Sequence, residues 1–575
     1  MNIKKVIPIL EWLPNYKASF FKGDLASGIT VGIVLIPQGI AYALIAGLPP
    51  IYGLYCALVP QILYAIFGSS RQVSIGPVAM DSLIVATGVS TLALAGSESY
   101  IAIAILLALM VGTLQFILGI FSLGFIVNFL SKPVITGFTS AVSLIIGLNQ
   151  FRNLFGVDFF QSDQIQYIII DIWEQFSLYN PHTTVIGLLS VLLIIICRKI
   201  SKKIPSALIV VILGILILKF FGTYFNNVAI VKEIPSGLPF FSIPELEIDQ
   251  IKELLPIALT LVMVGFLETI SIGKSLEAKQ DEYRIRPNQE LIALGLSNIF
   301  GSFFKAYPTT SSFSRSAINA ENGAKTGMAS LISVIMVVIT LLFLTPLFYY
   351  LPKTVLAAII IVAVFNLINF KEAFYLWRVN KLDFWLMLST FLATLSLGIE
   401  YGIAVGVGLS LIVLIYRTSK PYVTELGKVP HSNFYRNKNR FEEVVLEEDI
   451  LVFRFDAQLF YANANYFRDN LEEMTLQKGA ALKLIVLDAE SINRVDSTGV
   501  EMLKERVRYY KKKGITFYFA GVKGPVRDDL FKSGLLEIID INHFFMRANQ
   551  AIKFYKTGDR KHQEKYAKYI HQSYQ

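Results

Sequence analysis

AYPTTSSFSRSAINAEN, Ala306 to Asn322, breaks a long apolar sequence with six hydroxyl side chains and an arginine between Thr309 and Ser316. Pro308 suits a helix's first turn or an extended entry to one. The hydroxyls from Thr309 to Ser312 suit the cap of a helix that then runs through Ser314, Arg315 and Ala317. An earlier stretch, RQVSIGPVAMDS (Arg71–Ser82), has the same character, a proline-marked polar approach to an apolar helix. What lies around these two stretches sets their meaning.

The chain has 575 residues, of which 54% are hydrophobic and only 17% charged. A soluble protein of this length is normally about a quarter charged, so the composition points to a polytopic membrane protein in a lipid bilayer. Apolar segments run from Leu25 to Tyr416, and at about 20 residues per helix they make roughly fourteen spans. The first seven are placed at 25–45, 51–67, 78–95, 101–121, 125–148, 183–197 and 206–224. The second seven are placed at 254–273, 289–303, 311–320, 327–345, 354–369, 382–397 and 400–416. The two polar approaches therefore each lead into the third span of a seven-span half. Seven is odd, so the second half is inserted upside down relative to the first, and paired interrupted helices in inverted halves mark a transporter's midplane site.

Charge placement agrees with that count. Lys4, Lys5, Lys17 and Lys22 precede span 1, Arg198–Lys203 follows span 6, and the basic stretches after spans 8, 12 and 14 fall on the same side. By the positive-inside rule that side, with both termini, is cytoplasmic. Basic loops also account for the +9 net charge without nucleic acid. The first 22 residues carry no cleavable-signal pattern and are expected to stay in the mature chain. Cys56 and Cys197 lie inside apolar runs and read as packing residues, with no disulfide framework or metal cluster. No Walker loop, HExxH or nucleophile elbow supports an ATP-driven pump or an enzyme, and no cofactor is expected.

In this topology span 3 runs outward and span 10 inward, so two mid-membrane helix starts point at each other. Each exposes unpaired N–H groups and a partial positive charge, which together suit an anion. Arg315 adds a full charge that is expensive in a span unless it lines a cavity or pairs; the competing reading is an arginine snorkelling to lipid headgroups. Glu268, deep in span 8, reads as a proton carrier, a partner of Arg315, or a structural carboxylate held by a neighbouring helix. Gln38 and Tyr42, four apart in span 1, share a helix face that would line a pocket.

After Lys420 the character changes. Residues 421–443 read as a polar linker, 444–556 as a small α/β domain on the cytoplasmic side, and 557–575 as a frayed basic tail. Within the small domain, RVDSTGVEML puts Asp496, Ser497, Thr498 and Gly499 between a strand and a helix, a turn suited either to capping or to phosphate or protein docking.

Taken together, GDLASGITVGIVLIPQGIAYALIAGLPPIYGLY, SRQVSIGP, KPVITGFTSA and PTTSSFSRSAINAENGAKT resemble the sulphate permease (SulP) family of anion transporters, which includes the animal anion exchangers and prestin. VDSTGV resembles that family's STAS domain, related to bacterial anti-sigma-factor antagonists. The resemblance covers nearly the whole chain. It implies a core of spans 1–4 and 8–11 moving against a gate of 5–7 and 12–14. It places the anion pocket on Gln38, Tyr42, Val78, Ser314 and Arg315, and coupling on Glu268. Thr498 falls on the position phosphorylated in the antagonists. A homodimer and a cytoplasmic protein partner for the STAS domain are also implied. Sodium-coupled bicarbonate members lack the span-10 arginine, so Arg315 favours proton-coupled uptake or exchange, with sulphate first. Bicarbonate, chloride or dicarboxylate transport, and a channel or motor-like mode, stand as alternatives.

Overall fold

The computed structural model describes residues 6–125, 131–157, 162–201, 205–222, 224–225, 227–278, 283–365 and 368–558. The chain divides into two compact units, Met1–Ser410 and Leu411–Gln575. Lys4, Lys5, Lys202, Lys203 and all but the first two residues of the expected tail lie outside the described residues.

The first half of the membrane unit contains α1 (Ala18–Ile45), α2 (Pro50–Tyr55), α3 (Val59–Phe67), α4 (Ala79–Val89), α5 (Glu98–Ile120), α6 (Lys132–Asn149), α7 (Pro181–Ile200) and α8 (Ser206–Phe221). The second half contains α9 (Ile248–Glu277), α10 (Pro287–Ser302), α11 (Phe313–Glu321), α12 (Met328–Ile339), α13 (Lys353–Phe365), α14 (Lys381–Leu397) and α15 (Ile399–Ser419). Each expected span meets a helix, with α2 and α3 together forming the second. Among the described residues, nine helical segments are long and apolar enough to cross a bilayer unaided. The protein is a multi-pass membrane protein.

Two elements are far shorter than a span. The 11 residues of α4 and the nine of α11 rise only about 16 and 13 Å at 1.5 Å per residue, roughly half of a 30 Å hydrocarbon core. Span 3 was expected to reach residue 95 and span 10 to begin at 311; the helices instead end at Val89 and begin at Phe313. After α4 the chain turns at 90–93, and extended chain leads into both half-helices. Ile75–Gly76 (β1) pairs antiparallel with Thr310–Ser311 (β2), Ile75 opposite Ser311 and Gly76 opposite Thr310. Backbone groups at membrane depth must be satisfied within the protein, and this short ladder pairs the extended residues that lead into the two half-helices.

The halves interleave. Core helices pack across the repeats, α5 on α10, α1 on α12 and α3 on α10, while α6 packs on α14 and α7 on α13 in the gate. The tightest approach is between α1 and α2, where a Cβ on Gly53 would stand 1.9 Å from the carbonyl oxygen of Gly39. Only two glycines permit main chains that close. Exposed apolar residues such as Leu188, Leu192, Ile195 and Ile196 form the outer face of α7 that lipid covers.

The second unit carries a six-stranded sheet in the order β4-β3-β5-β6-β7-β8. Its strands are β3 (Val423–Lys428), β4 (Tyr435–Asn437), β5 (Ile450–Phe455), β6 (Leu484–Asp488), β7 (Thr516–Ala520) and β8 (Phe544–Phe545). From β5 to β8 the pairing is parallel, and α16 (Ala464–Lys478) and α17 (Ser497–Lys512) lie between successive strands. One face buries Leu451, Phe453, Phe467 and Leu503, and the other buries Val452, Val486, Tyr518 and Ile552. The segment 421–443, expected to be a linker, supplies β3 and β4, both antiparallel to their neighbours. Their polarity concealed them: Glu425 of β3 is 5% exposed yet bonded to Lys438 and Lys478, each at 2.8 Å.

Candidate functional site

The β1–β2 ladder brings the two half-helix starts together. Ser312 N–H donates to the Ser74 carbonyl at 3.0 Å, and Ser74 N–H donates to Ser316 Oγ at 3.0 Å. Ser312 caps α11 by accepting from the Arg315 N–H. The cap was expected somewhere in Thr309–Ser312, and only Ser312 supplies it. The other hydroxyls hold the strand in place. Asn298 of α10 accepts from Thr309 N–H at 2.8 Å, Thr310 Oγ1 donates to the Gly265 carbonyl at 3.0 Å, and Ser311 Oγ lies 2.8 Å from Thr269 Oγ1. At α4, Val78 is the N-cap and no side chain caps the helix, so its start keeps the partial positive charge of uncapped N–H groups.

Between these starts and the gate lies a cavity of about 320 Å3. Gln38 and Tyr42 of α1, Val78, Glu268 of α9 and Ser314 of α11 all line it, together with Ser311 and Ser312. Val142, Ser143 and Ile146 of α6, Arg198 of α7 and Val364 of α13 form the opposite wall. A second void of about 110 Å3 shares Gln38, Arg198 and Ser314 and extends to Thr30, Glu321 and Asn322.

Arg315 is placed differently. It is 0% exposed and absent from the cavity wall. Its Nη1 donates to the Pro77 carbonyl at 3.0 Å and to Gln38 Oε1 at 3.4 Å. Nε and Nη2 have no protein acceptor. A Cβ at Gly76, where φ is +145°, would lie 3.3 Å from Nη2. The guanidinium thus sits behind Gln38 and under the start of α4, and its charge reaches the cavity across a wall of few atoms. In low-dielectric surroundings a charge acts strongly at such range. Glu268 has one oxygen, Oε2, buried without a donor, and no ion pair joins it to Arg315 among the described residues.

In the second unit, Asp496 Oδ1 accepts from Gly499 N–H at 2.8 Å and caps α17, while Oδ2 accepts from Tyr461 N–H at 2.9 Å. Ser497 and Thr498 are exposed on the first turn. Gly499 is buried, and a Cβ there would stand 3.0 Å from the Leu459 carbonyl. Among the described residues, no group of three or more His, Cys, Asp and Glu side chains is arranged to hold a metal ion.

Residues 21–390 match the sulfate permease family, and residues 443–551 match the STAS domain. The chain belongs to the sulfate permease family. It is similar along 96% of its length, at 39% identity, to sulfate transporter 4.1, chloroplastic, of Arabidopsis thaliana, covering 82% of that protein. High affinity sulfate transporter 2 of Stylosanthes hamata is 31% identical, over 96% of this chain and 87% of that one. The inward-facing structure of the murine anion transporter Slc26a9 superposes with a TM-score of 0.89 at 28% identity, covering 96% of this chain and 94% of that one. This sulfate permease is accordingly an anion transporter with a STAS domain.

Two charged residues of the permease escaped the sequence reading. Arg198 was counted only as a cytoplasmic loop charge, and it faces the cavity from the gate. Asp81, in RQVSIGPVAMDS, is 2% exposed with Oδ1 unpartnered. A carboxylate in a helix's first turn ordinarily signals the helix dipole, which hid the lack of any donor.

Proposed function

We propose that this permease carries sulfate into the cell, by proton symport or by anion exchange, through movement of the core against the gate. The observation that carries the reading is the cavity itself: two helix starts and a buried arginine converge on it, and an acidic side chain without a donor lines it. Positive potential from Arg315, Arg198 and the N–H groups of α4 and α11 suits a small divalent oxyanion, and Glu268 suits a proton that travels with it. The related plant proteins bear the names of sulfate transporters, which favours sulfate within the family.

Gln38, Tyr42, Val78 and Ser314 contact the anion in this reading, and Arg315 holds Gln38 and supplies charge from behind. Core helices and gate helices share the cavity wall, so displacement of one against the other exposes the site to alternate faces. The basic loops favour cytoplasmic termini and a cytoplasmic membrane for the protein. The STAS domain contributes to a homodimer and docks a cytoplasmic partner at the Asp496–Gly499 turn.

Labelled sulfate uptake by the purified protein in proteoliposomes tests the reading. Uptake competed by excess unlabelled sulfate, and stimulated by a proton gradient or by internal anion, is the expected result. Proteoliposomes that move chloride, bicarbonate or dicarboxylate but no sulfate at any pH overturn the substrate. Currents far above carrier rates overturn the mechanism.

A further inference from the structure

Carboxylates deep in the membrane unit divide into two kinds. Asp24 accepts from Lys325 N–H at 2.7 Å, Thr326 N–H at 3.1 Å, Thr326 Oγ1 at 2.6 Å and Tyr16 OH at 3.2 Å. Glu290 accepts from Ser69 N–H at 2.8 Å, Ser69 Oγ at 2.5 Å, Ser70 N–H at 3.3 Å and Tyr64 OH at 2.5 Å. Such carboxylates are structural struts, with both oxygens held by donors from neighbouring elements. Asp81 and Glu268 are the other kind. Each has a buried oxygen without a protein donor, and the two lie within range of each other's charge. Met80, the neighbour of Asp81, and Glu268 line one small void of about 20 Å3 where α6 meets α9 and the start of α4.

We propose that Asp81 is a second proton-carrying carboxyl, which with Glu268 loads two protons for each divalent anion. The inference rests on the proton-coupled reading above and assigns its stoichiometry.

Charge bookkeeping supports two protons rather than one. With both carboxyls ionised, Arg315 is outnumbered and the core repels an anion. With one protonated, Arg315 is cancelled, and only the helix ends and Arg198 across the cavity attract. With both protonated, the charge of Arg315 is free to bind. Anion and protons therefore favour each other's binding reciprocally. Each carboxylate takes up one proton on the loading side as –COOH and returns it on the far side. Two protons and one sulfate move no net charge.

The surroundings agree. Facing the pair are Arg315 of α11, Tyr307 on the approach to it, Tyr42 of α1 and Arg198 across the cavity. Tyr307 OH is engaged with Ser82 Oγ at 3.0 Å, and Cys56 Sγ with the Tyr307 carbonyl at 3.4 Å. The other helices packed on α4 bring titratable groups only near their starts, Glu98 and Tyr100 on α5 and Lys132 on α6. None of these is hydrogen-bonded to Asp81.

Sulfate uptake into proteoliposomes under imposed proton gradients and potassium diffusion potentials tests the pair in the full chain. Wild-type uptake should follow the proton gradient and ignore voltage. Asp81→Asn should carry one net negative charge per cycle, so its accumulation ratio should shift up to about fiftyfold per 100 mV, inside positive. Its pH dependence should be about half as steep. Asp81→Glu should restore voltage indifference. Proton-driven wild-type uptake that responds to voltage overturns the pair while leaving the transport reading intact, and needs no variant. Voltage indifference retained in Asp81→Asn likewise overturns it. Wild-type sulfate uptake without proton drive overturns the coupling reading beneath it.

Discussion

Arg315 Nη1 donates at 3.0 Å to the carbonyl oxygen of Pro77, tying the one buried cation of α11 to the residue that precedes the start of α4. The bond crosses the two repeats. It fixes where the positive charge sits, yet it uses only Nη1, which also reaches Gln38 Oε1 at 3.4 Å. Nε and Nη2 remain without a protein acceptor, so protein hydrogen bonds do not meet the full cost of burying this guanidinium. In the function proposed above, the negative charge of an anion in the adjoining cavity offsets part of it.

Arg315→Ala should therefore lower sulfate affinity by about a hundredfold, since removing a buried charge that faces an anion costs about 3 kcal/mol. Arg315→Lys should fall between, because an ammonium keeps the charge without the planar fork. Sulfate-dependent thermal stabilisation of purified protein measures both. Unchanged affinity in a folded Arg315→Ala protein removes Arg315 from the site.

Glu268→Gln keeps the shape of the cavity wall and abolishes one proton site. Uptake should lose much of its pH dependence while competition by unlabelled sulfate persists. A dependence as steep as wild type would move the proton elsewhere.

Gly53→Ala should abolish folded yield or lower the melting temperature by many degrees, because its Cβ would lie 1.9 Å from the Gly39 carbonyl oxygen and neither backbone has room to retreat. Gly408→Ala is the control: nothing lies within 4 Å of its Cβ position, and alanine in a helix is favoured over glycine by up to about 1 kcal/mol.

Asp496→Ala should destabilise a fragment starting at Lys420 by about 1–2 kcal/mol in urea denaturation, the usual value of an N-cap. Ser497→Ala and Thr498→Ala, exposed on the same turn, should stay within about 0.5 kcal/mol. Equal losses at all three positions would show that the turn is held by more than the cap.

Burial pushes the Asp488 carboxyl up to about 6, opposed by the hydrogen bond it accepts from Glu490 N–H and by Arg454, and aided by the charges of Glu490 and Asp456. A raised carboxyl costs stability only where it must ionise in the fold. Below pH about 4 it is protonated in both states; between about 4 and 6 the unfolded chain ionises first and stability falls; above 6 the loss of about 3 kcal/mol is complete. Asp488→Asn should stabilise the same fragment at pH 8 and leave it unchanged at pH 4.

The spans were legible because a lipid-facing helix has to be apolar along its whole length, as in α5 and α7, and because basic loops mark one side. Ser312 was legible as a cap because capping is local. What escaped depended on distant partners. Glu290 reads as another costly carboxylate until Ser69 and Tyr64, more than two hundred residues away, are seen to saturate it. Asp81 escaped for the opposite reason, since an absence of partners has no sequence signature. Strands β1 and β2 have two residues each, too few for any periodicity, and β3 buries a glutamate that only its lysines explain.

The ladder joining Ile75–Gly76 to Thr310–Ser311 is made of main chain. No side-chain substitution deletes it, short of a proline, whereas every lining group, from Gln38 to Ser314, is replaceable. Geometry and selectivity are thereby inherited separately: the frame that aims two helix ends at one point can stay constant while the anion it accepts drifts, residue by residue, to another.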